Sequence, residues 1–451
     1  MGTRSREHIL NAEPLRSRDL WLNVAVWVLF SLLAVALRGA RWDEAFERAQ
    51  VILELTRYPH SHPLFQYAHG AFTIHYYAAA LLLHLTRSAS VVCGLRNVLF
   101  LLATILPTFL LVAHITRRAR WGHVAAALTL LGAHVAFAPY YPLFVWPERF
   151  SSGHIGMAYA FVILFLLLRE RLSPALFLLG LMPIIHLGQM PVILVFAFLY
   201  LVWWTWKSEE NSTLARALAW GAAGLTLCGL FWVVQHALAP HPATQGSYAS
   251  NADAHAIWMR YVLSDDVHRA FPRWNPIGHC IALVAGTLLL GVGAAWYERS
   301  RPACERPRIW LLAYALCATL LAWLPMLAFA ALNEKTPPAL IIWMPQRLTN
   351  HVVLVFVVLA FAQLVQEGKR MHAGRALMAA VFAYCALRPL LACVVPEALY
   401  TRYLGLPEAP LCILAGAALA HQGLRLLDDV LWMRAWLAAV AAGLISFALY
   451  A

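Results

Sequence analysis

The chain has 451 residues, of which 62% are hydrophobic and 12% charged, with a net charge of +12. Soluble domains carry about 25% charged residues, so this composition, with a mean hydropathy of +0.66, requires lipid as solvent. Disorder, a collagen-like fold and a disulfide scaffold are excluded, and the uninterrupted apolar runs do not alternate as the strands of a transmembrane barrel do.

The predicted fold class is an all-α, polytopic transmembrane helical bundle, because helices satisfy their own backbone hydrogen bonds in hydrocarbon. A span needs roughly 20 apolar residues. Taken in order, the candidates are 20–37, 97–115, 121–138, 154–168, 174–188, 191–206, 217–239, 276–297, 309–332, 348–366, 376–395, 405–420 and 435–450. The first follows a polar head of nineteen residues with no small-residue cleavage site after it, and reads as a signal-anchor. The run 172–206 holds 35 residues without Asp, Glu, Lys or Arg. A further apolar stretch, 71–85, is short for a crossing. We read 1–451 as a single integral-membrane domain, with an N-terminal catalytic-type module at roughly 20–240 and C-terminal spans at roughly 276–450.

Charge orients the bundle. With 71–85 lying at the interface rather than crossing, the inner segments hold 20 Lys and Arg in 73 residues and the outer ones 13 in 134. Letting 71–85 cross would put Arg117–Arg118 and Arg299–Arg301 outside, against the positive-inside rule. The expectation is therefore about 13 spans, an N-terminus in the cytoplasm and a long first outer loop over 38–96 carrying interfacial helices. The same rule explains the net positive charge without nucleic acid as a partner. The eight cysteines form no CxxC pair and sit mostly in apolar runs, as small buried hydrophobes.

Four segments gather on the outer face in this scheme: 41–75, 139–153, 186–191 and 333–347. In the first, Ala45, Phe46, Ala49, Ile52 and Leu53 recur at helical spacing. The spacing predicts an amphipathic helix over 44–56 lying on the membrane. Asp43 then stands at its N-cap, and Glu44 is a first-turn acid favoured by the helix dipole. A capping carboxylate keeps one oxygen free in a fixed position, so the structural role is compatible with a chemical one. Asparagine caps about as well, and Asp43→Asn is expected to remove a base without loss of stability.

His60 and His62 follow, with His69, His75 and the Tyr76–Tyr77 pair. Imidazoles one residue apart could converge on a metal, but no third ligand stands at a recognisable spacing, and contact with a phosphate is the better functional reading. Glu148 and Arg149 pair an acid and a base at the outer end of a span, where a surface ion pair is the bland alternative. His186 and Gln189 turn a charge-free hairpin. Arg347 opens a span after a proline-containing loop, where arginine either snorkels or holds a phosphate with its planar fork. Arg388 lies within the last third of its span.

This order of features resembles the GT-C superfamily of integral-membrane glycosyltransferases, and most closely its protein mannosyltransferase and aminoarabinose transferase branch. Those proteins place an acidic pair after the first span, then an interfacial helix, a proline-containing segment and a short apolar stretch before the second span. Here Asp43–Glu44, the 44–56 helix, His62–Pro63 and 71–85 fall in that order, and Glu148 occupies the place of a second-loop acid. The resemblance covers the first 150 residues in detail and the rest as a span count, with a single Pro63 where the aminoarabinose branch has a double proline.

The resemblance implies a sugar donor linked to polyprenyl phosphate, a lipid, glycan or protein acceptor, and a place in a bacterial inner membrane, serving the cell envelope. It implies Asp43, with Glu44 beside it, as catalytic acids, and His60, His62, Glu148, Arg149, His186 and Arg347 as donor- or acceptor-binding groups. No cofactor is expected, and a divalent metal is not favoured. Two other classes compete. A transporter or flippase of a lipid-linked substrate would keep ionisable groups deep in its spans. A glycan polymerase or ligase of different fold would place them in a large late outer loop, such as 240–275.

Overall fold

In the computed structural model, the described residues are 17–59, 62–132, 152–207, 211–238 and 307–332, with scattered positions between 337 and 362. The structure is mostly helical, with no strand among the described residues. Among the described residues, five helical stretches are long and apolar enough to cross a membrane: Leu20–Leu37, Ala89–Thr116, Leu172–Lys207, Ser212–Ala237 and Pro307–Pro325. The expected spans at 276–297, 376–395, 405–420 and 435–450 lie outside the described residues, and 121–138 and 348–366 are described in part.

Helix α1 (Ser17–Arg38) turns Trp27, Ser31 and Ala34 inward and leaves Leu22, Val26, Leu29, Leu32, Leu33 and Leu37 exposed. In water such a stripe would be an outsized apolar patch, whereas it suits contact with lipid. Gly39, at φ 85°, then turns the chain into three short helices, α2 (Glu44–Ile52), α3 (Pro63–Gly70) and α4 (Ile74–Thr86). Helix α2 ends four residues earlier than its periodicity predicts, because Glu54 adopts a left-handed conformation (φ 54°). Its apolar stripe is filled by protein. Ala45, Phe46 and Ala49 pack with Tyr76, Ala79, Ala80 and Leu83 of α4 and with Val92 and Cys93 of the next helix. The expectation that this stripe rests on the membrane is corrected accordingly: α4 supplies a closer apolar face than lipid would.

Helix α4 has 13 residues, a length of about 20 Å, too short for a hydrocarbon core of about 30 Å. Helix α5 (Ala89–Thr116), by contrast, has 28 residues, about 42 Å. The excess of about 12 Å over the hydrocarbon corresponds to about eight residues, enough to leave the N-terminal stretch from Ala89 to Arg96 at the edge of the bundle. Ser88 caps it, its Oγ accepting from the Val91 N–H at 3.3 Å.

Helices α6 (Ala119–Gly132), α7 (Ser152–Leu168), α8 (Leu172–His186), α9 (Met190–Lys207), α10 (Asn211–Leu238) and α11 (Pro307–Leu332) complete the described bundle. One continuous apolar core joins α1, α5–α11 and the described residues between 348 and 362. Helices α8 and α10 approach closely backbone to backbone: a Cβ on Gly224 would stand 2.3 Å from the Phe177 carbonyl oxygen and one on Gly180 2.5 Å from that of Gly221. Small residues allow this contact, the usual means of helix association in membranes. Helices α8 and α9 meet at a single 3₁₀ turn, Leu187–Gln189, from which α8 packs on α10 and α9 on α11.

Candidate functional site

Asp43 is buried, 1% exposed, at an extended backbone position. Its Oδ1 accepts from the Ala45 N–H at 2.9 Å, capping α2 as the sequence predicts. Two bonds fix the preceding segment on α5: the Arg41 N–H donates to Asn97 Oδ1 at 2.8 Å, and Asn97 Nδ2 donates to the Arg41 carbonyl at 3.2 Å.

The partner that sequence reading missed is Arg96. Its Nε donates to Asp43 Oδ1 at 3.0 Å, and both side chains are almost wholly enclosed. Its Nη1 reaches His75 Nδ1, also at 3.0 Å. Oδ1 thus takes both the cap and the ion pair, while Asp43 Oδ2 is buried with no hydrogen-bond partner. The anticipated free oxygen is present, but the expectation that Asp43→Asn is neutral for stability is revised. The substitution would leave the Arg96 guanidinium buried without a countercharge, the costly way to break such a pair.

His75 is capped into α4 by Thr73, whose Oγ1 accepts from the His75 N–H at 3.4 Å. Burial, then the neighbouring Arg96 charge, then His186, hold its imidazole down at a pKa of about 3, against 6.5 ordinarily. The ring is therefore neutral at physiological pH. A backbone hydrogen bond to Ile185 acts the other way, favouring the protonated ring.

Glu44 is engaged differently. Its Oε1 accepts from the Tyr76 hydroxyl at 3.0 Å and faces Arg48 Nη2 at 3.8 Å, with the carboxylate side chain 39% exposed. The Tyr76 hydroxyl also meets that of Tyr67 at 3.3 Å, and Arg48 lies over the Tyr67 ring. Burial and then Glu44 push the Tyr76 hydroxyl far above its ordinary pKa. His62 serves as N-cap of α3, its Nδ1 accepting from the Leu64 N–H at 3.2 Å, with its ring against Tyr58. That is a structural use of a residue the sequence nominated for phosphate. Helix α10 is tied to the same region through Gln235, whose Nε2 donates to the carbonyls of His69 and Ala71, each at 2.9 Å.

The α8–α9 turn closes the group from the other side. His186 packs so tightly on Gly156 that a Cβ there would come within 2.3 Å of the His186 Cβ. It lies in electrostatic range of His75, Arg347 and His351. Gln189 Oε1 accepts from His351 Nε2 at 2.6 Å, His351 Nδ1 meets the Tyr314 hydroxyl at 2.7 Å, and Trp343 Nε1 donates to the Gly188 carbonyl at 3.0 Å. Arg347 itself stands in a 3₁₀ turn, Pro345–Leu348.

One end of the bundle therefore brings together Asp43, Glu44, His75, Arg96, His186 and Arg347 from segments scattered over three hundred residues of sequence. His60, Glu148, Arg149 and Arg388 lie outside the described residues, as does 240–275. Among the described residues no group of three or more His, Cys, Asp or Glu side chains is placed to hold a metal ion. A signal for Arg96 did exist in the sequence: it enters an apolar helix with no acid between 92 and 100, so any countercharge had to come from another segment. Comparison of the chain with family models, with curated proteins and with solved structures gives no match, and the geometry of this cluster carries the functional reading by itself.

Proposed function

We propose that this protein is a membrane-embedded glycosyltransferase of GT-C type, moving a sugar from a polyprenyl-phosphate donor to an acceptor hydroxyl. The observation that carries the proposal is Asp43, a buried carboxylate with one oxygen fixed by a helix cap and an arginine, and the other unengaged. In this reading Oδ2 takes the proton of the acceptor hydroxyl as its oxygen bonds to the anomeric carbon. The bond from that carbon to the lipid-phosphate oxygen breaks, and its electron pair leaves on the phosphate. Positioned bases of this kind contribute about 10²–10⁴-fold. Arg347, with Arg149 from the second loop, would hold the phosphate charge, and His186 would line the path between them.

The donor tail would lie among the spans, and the absence of a phosphate-binding glycine loop suits a lipid-linked rather than a nucleotide donor. The test is transfer in proteoliposomes holding the full chain and labelled polyprenyl-phosphate hexoses and pentoses, offered with lipid, glycan and peptide acceptors. Transfer by the wild type and its loss in Asp43→Asn are expected; no transfer or donor cleavage by the wild type with any donor overturns the assignment. A flippase is the second reading, favoured by the fully buried Tyr314–His351 pair and its bond to Gln189 inside the bundle. It predicts movement of the intact lipid-linked sugar between leaflets with no product formed.

A further inference from the structure

Residues 39–43, between α1 and α2, have no regular structure, so their backbone groups must be paired from outside. Asn97 supplies such a pairing. Its side-chain amide accepts from the Arg41 N–H at 2.8 Å and donates to the Arg41 carbonyl at 3.2 Å, as a residue of a neighbouring antiparallel strand would. Asn97 is 3% exposed, and an amide is the side chain that offers both a donor and an acceptor. Aspartate would lack the donor, and glutamine would carry both groups one methylene further out.

The fastening continues along α5. Arg96, the residue before Asn97, donates from Nε to Asp43 Oδ1 at 3.0 Å, and Cys93, one turn earlier, meets the Asp43 backbone. Positions 93, 96 and 97 share a helix face, and each holds a different part of the same short segment. A slip of one residue would present Trp42 or Glu44 to Arg96 in place of Asp43. We propose that Asn97 is a positioning residue for the transfer reaction. By clamping the Arg41 backbone it sets the register in which Asp43 gives Oδ1 to Arg96 and to the α2 cap and keeps Oδ2 for the acceptor hydroxyl. The inference rests on the reading of Asp43 as the general base, and extends it to a residue that does not touch substrate.

Two variants of the full chain test it. Asn97→Gln keeps the amide but displaces it, and Asn97→Ser removes the clamp without adding charge or bulk. Well below the melting midpoint, kcat should fall by about 10- to 100-fold in both, while the donor KM stays within about threefold. A residue that merely supported the fold would lower the midpoint and leave the kcat of folded enzyme unchanged. Arginine ¹⁵N spectra in detergent give a readout independent of transfer. The Nε–H resonance lost in Arg96→Lys, displaced in wild type by the bond to Asp43, should move toward those of exposed arginines in both variants. An Arg96 resonance unchanged in both, or a kcat equal to that of wild type, would overturn the proposal. The two readings fail separately. A wild type that transfers no sugar sinks the transferase, and the Arg96 resonance still decides whether Asn97 sets Asp43. Transfer lost in Asp43→Asn but retained in both Asn97 variants upholds the transferase and sinks the clamp.

Discussion

The two ends of helix α8 solve the same packing problem by opposite means. Along its length, Phe177 and Gly180 meet Gly221 and Gly224 of α10 at distances that leave no room for a methyl group. Nothing polar is needed, since close van der Waals contact suffices in a medium as apolar as the side chains. Toward its C-terminal end, Arg96 makes charge-assisted bonds to Asp43 and His75, His351 is hydrogen-bonded to Gln189, and Asp43 Oδ2 and His186 Nδ1 are buried without a hydrogen-bond partner. Apolar packing of similar volume is often as stable as a buried ion pair or more so. A cluster that retains one, and retains it incompletely, therefore points to chemistry rather than to architecture.

Breaking the polar end should have the largest effect. Asp43→Asn keeps the α2 cap but strands Arg96, at a cost of about 3–5 kcal/mol, and in the proposed reaction lowers transfer by about two to four orders of magnitude. The double variant Asp43→Asn/Arg96→Gln should regain much of the thermal stability and none of the rate. If the double variant recovers both, the pair is a staple between α2 and α5, and the contrast between the two ends loses its functional meaning.

Gly224→Ala breaks the other side of the comparison. The new methyl would meet the Phe177 carbonyl oxygen at 2.3 Å and the Gly180 Cα at 3.1 Å. Overpacking of this kind costs about 1–3 kcal/mol, read as a lower melting midpoint in detergent. The Arg96 bonds to Asp43 and His75, which lie at the polar end, should not change. A midpoint equal to that of wild type would show the helices free to separate, and the contact would then not be a fixed element of the bundle.

The two ends also differ in how far sequence betrays them. The spans are legible because composition alone excludes water, and the α2 cap because Asp43 and Glu44 precede an apolar repeat. Arg96 stands 53 residues from Asp43, and His351 162 residues from Gln189. Neither spacing carries a local signal, so Arg96 reads only as one more charge in a loop. Helix α5 likewise reads as beginning near 97, because Arg96 interrupts the apolar sequence there, although the helix starts at Ala89. His62 has a structural role that its sequence context does not announce: its Nδ1 caps α3. The close approach of Gly180 to Gly221 is a matter of two surfaces meeting, which single-helix periodicity does not encode.

A pH titration sharpens the contrast, since the α8–α10 contact has nothing to titrate. His75 is held near pKa 3 in the fold, against 6.5 when unfolded. The unfolded chain therefore binds more protons below about pH 6.5, and the stabilisation tied to the neutral ring is lost as pH falls from there to about 3. The slope is about 1.4 kcal/mol per pH unit. His75→Gln removes this dependence, so melting midpoints of the wild type and the variant, taken at pH 7.5 and 4.5, should draw together or cross on acidification. Parallel losses in the two proteins would place the acid sensitivity elsewhere.

The smallest effect belongs to the acid beside Asp43. Glu44 occupies a half-exposed position, faces Arg48 at 3.8 Å and accepts from Tyr76 at 3.0 Å. In Glu44→Gln the amide oxygen still accepts from Tyr76, so the loss is an exposed i,i+4 pair, about 0.3–0.5 kcal/mol, and a first-turn charge worth about as much. Transfer should stay within about threefold of wild type, well short of the loss expected for a general base. The variant thus separates two adjacent carboxylates that share a helix terminus and differ in enclosure. Should Glu44→Gln abolish transfer while Asp43→Asn preserves it, the base is the exposed carboxylate. The enclosed Asp43–Arg96 pair would then be an architectural device comparable to the glycine contact at the other end of the comparison.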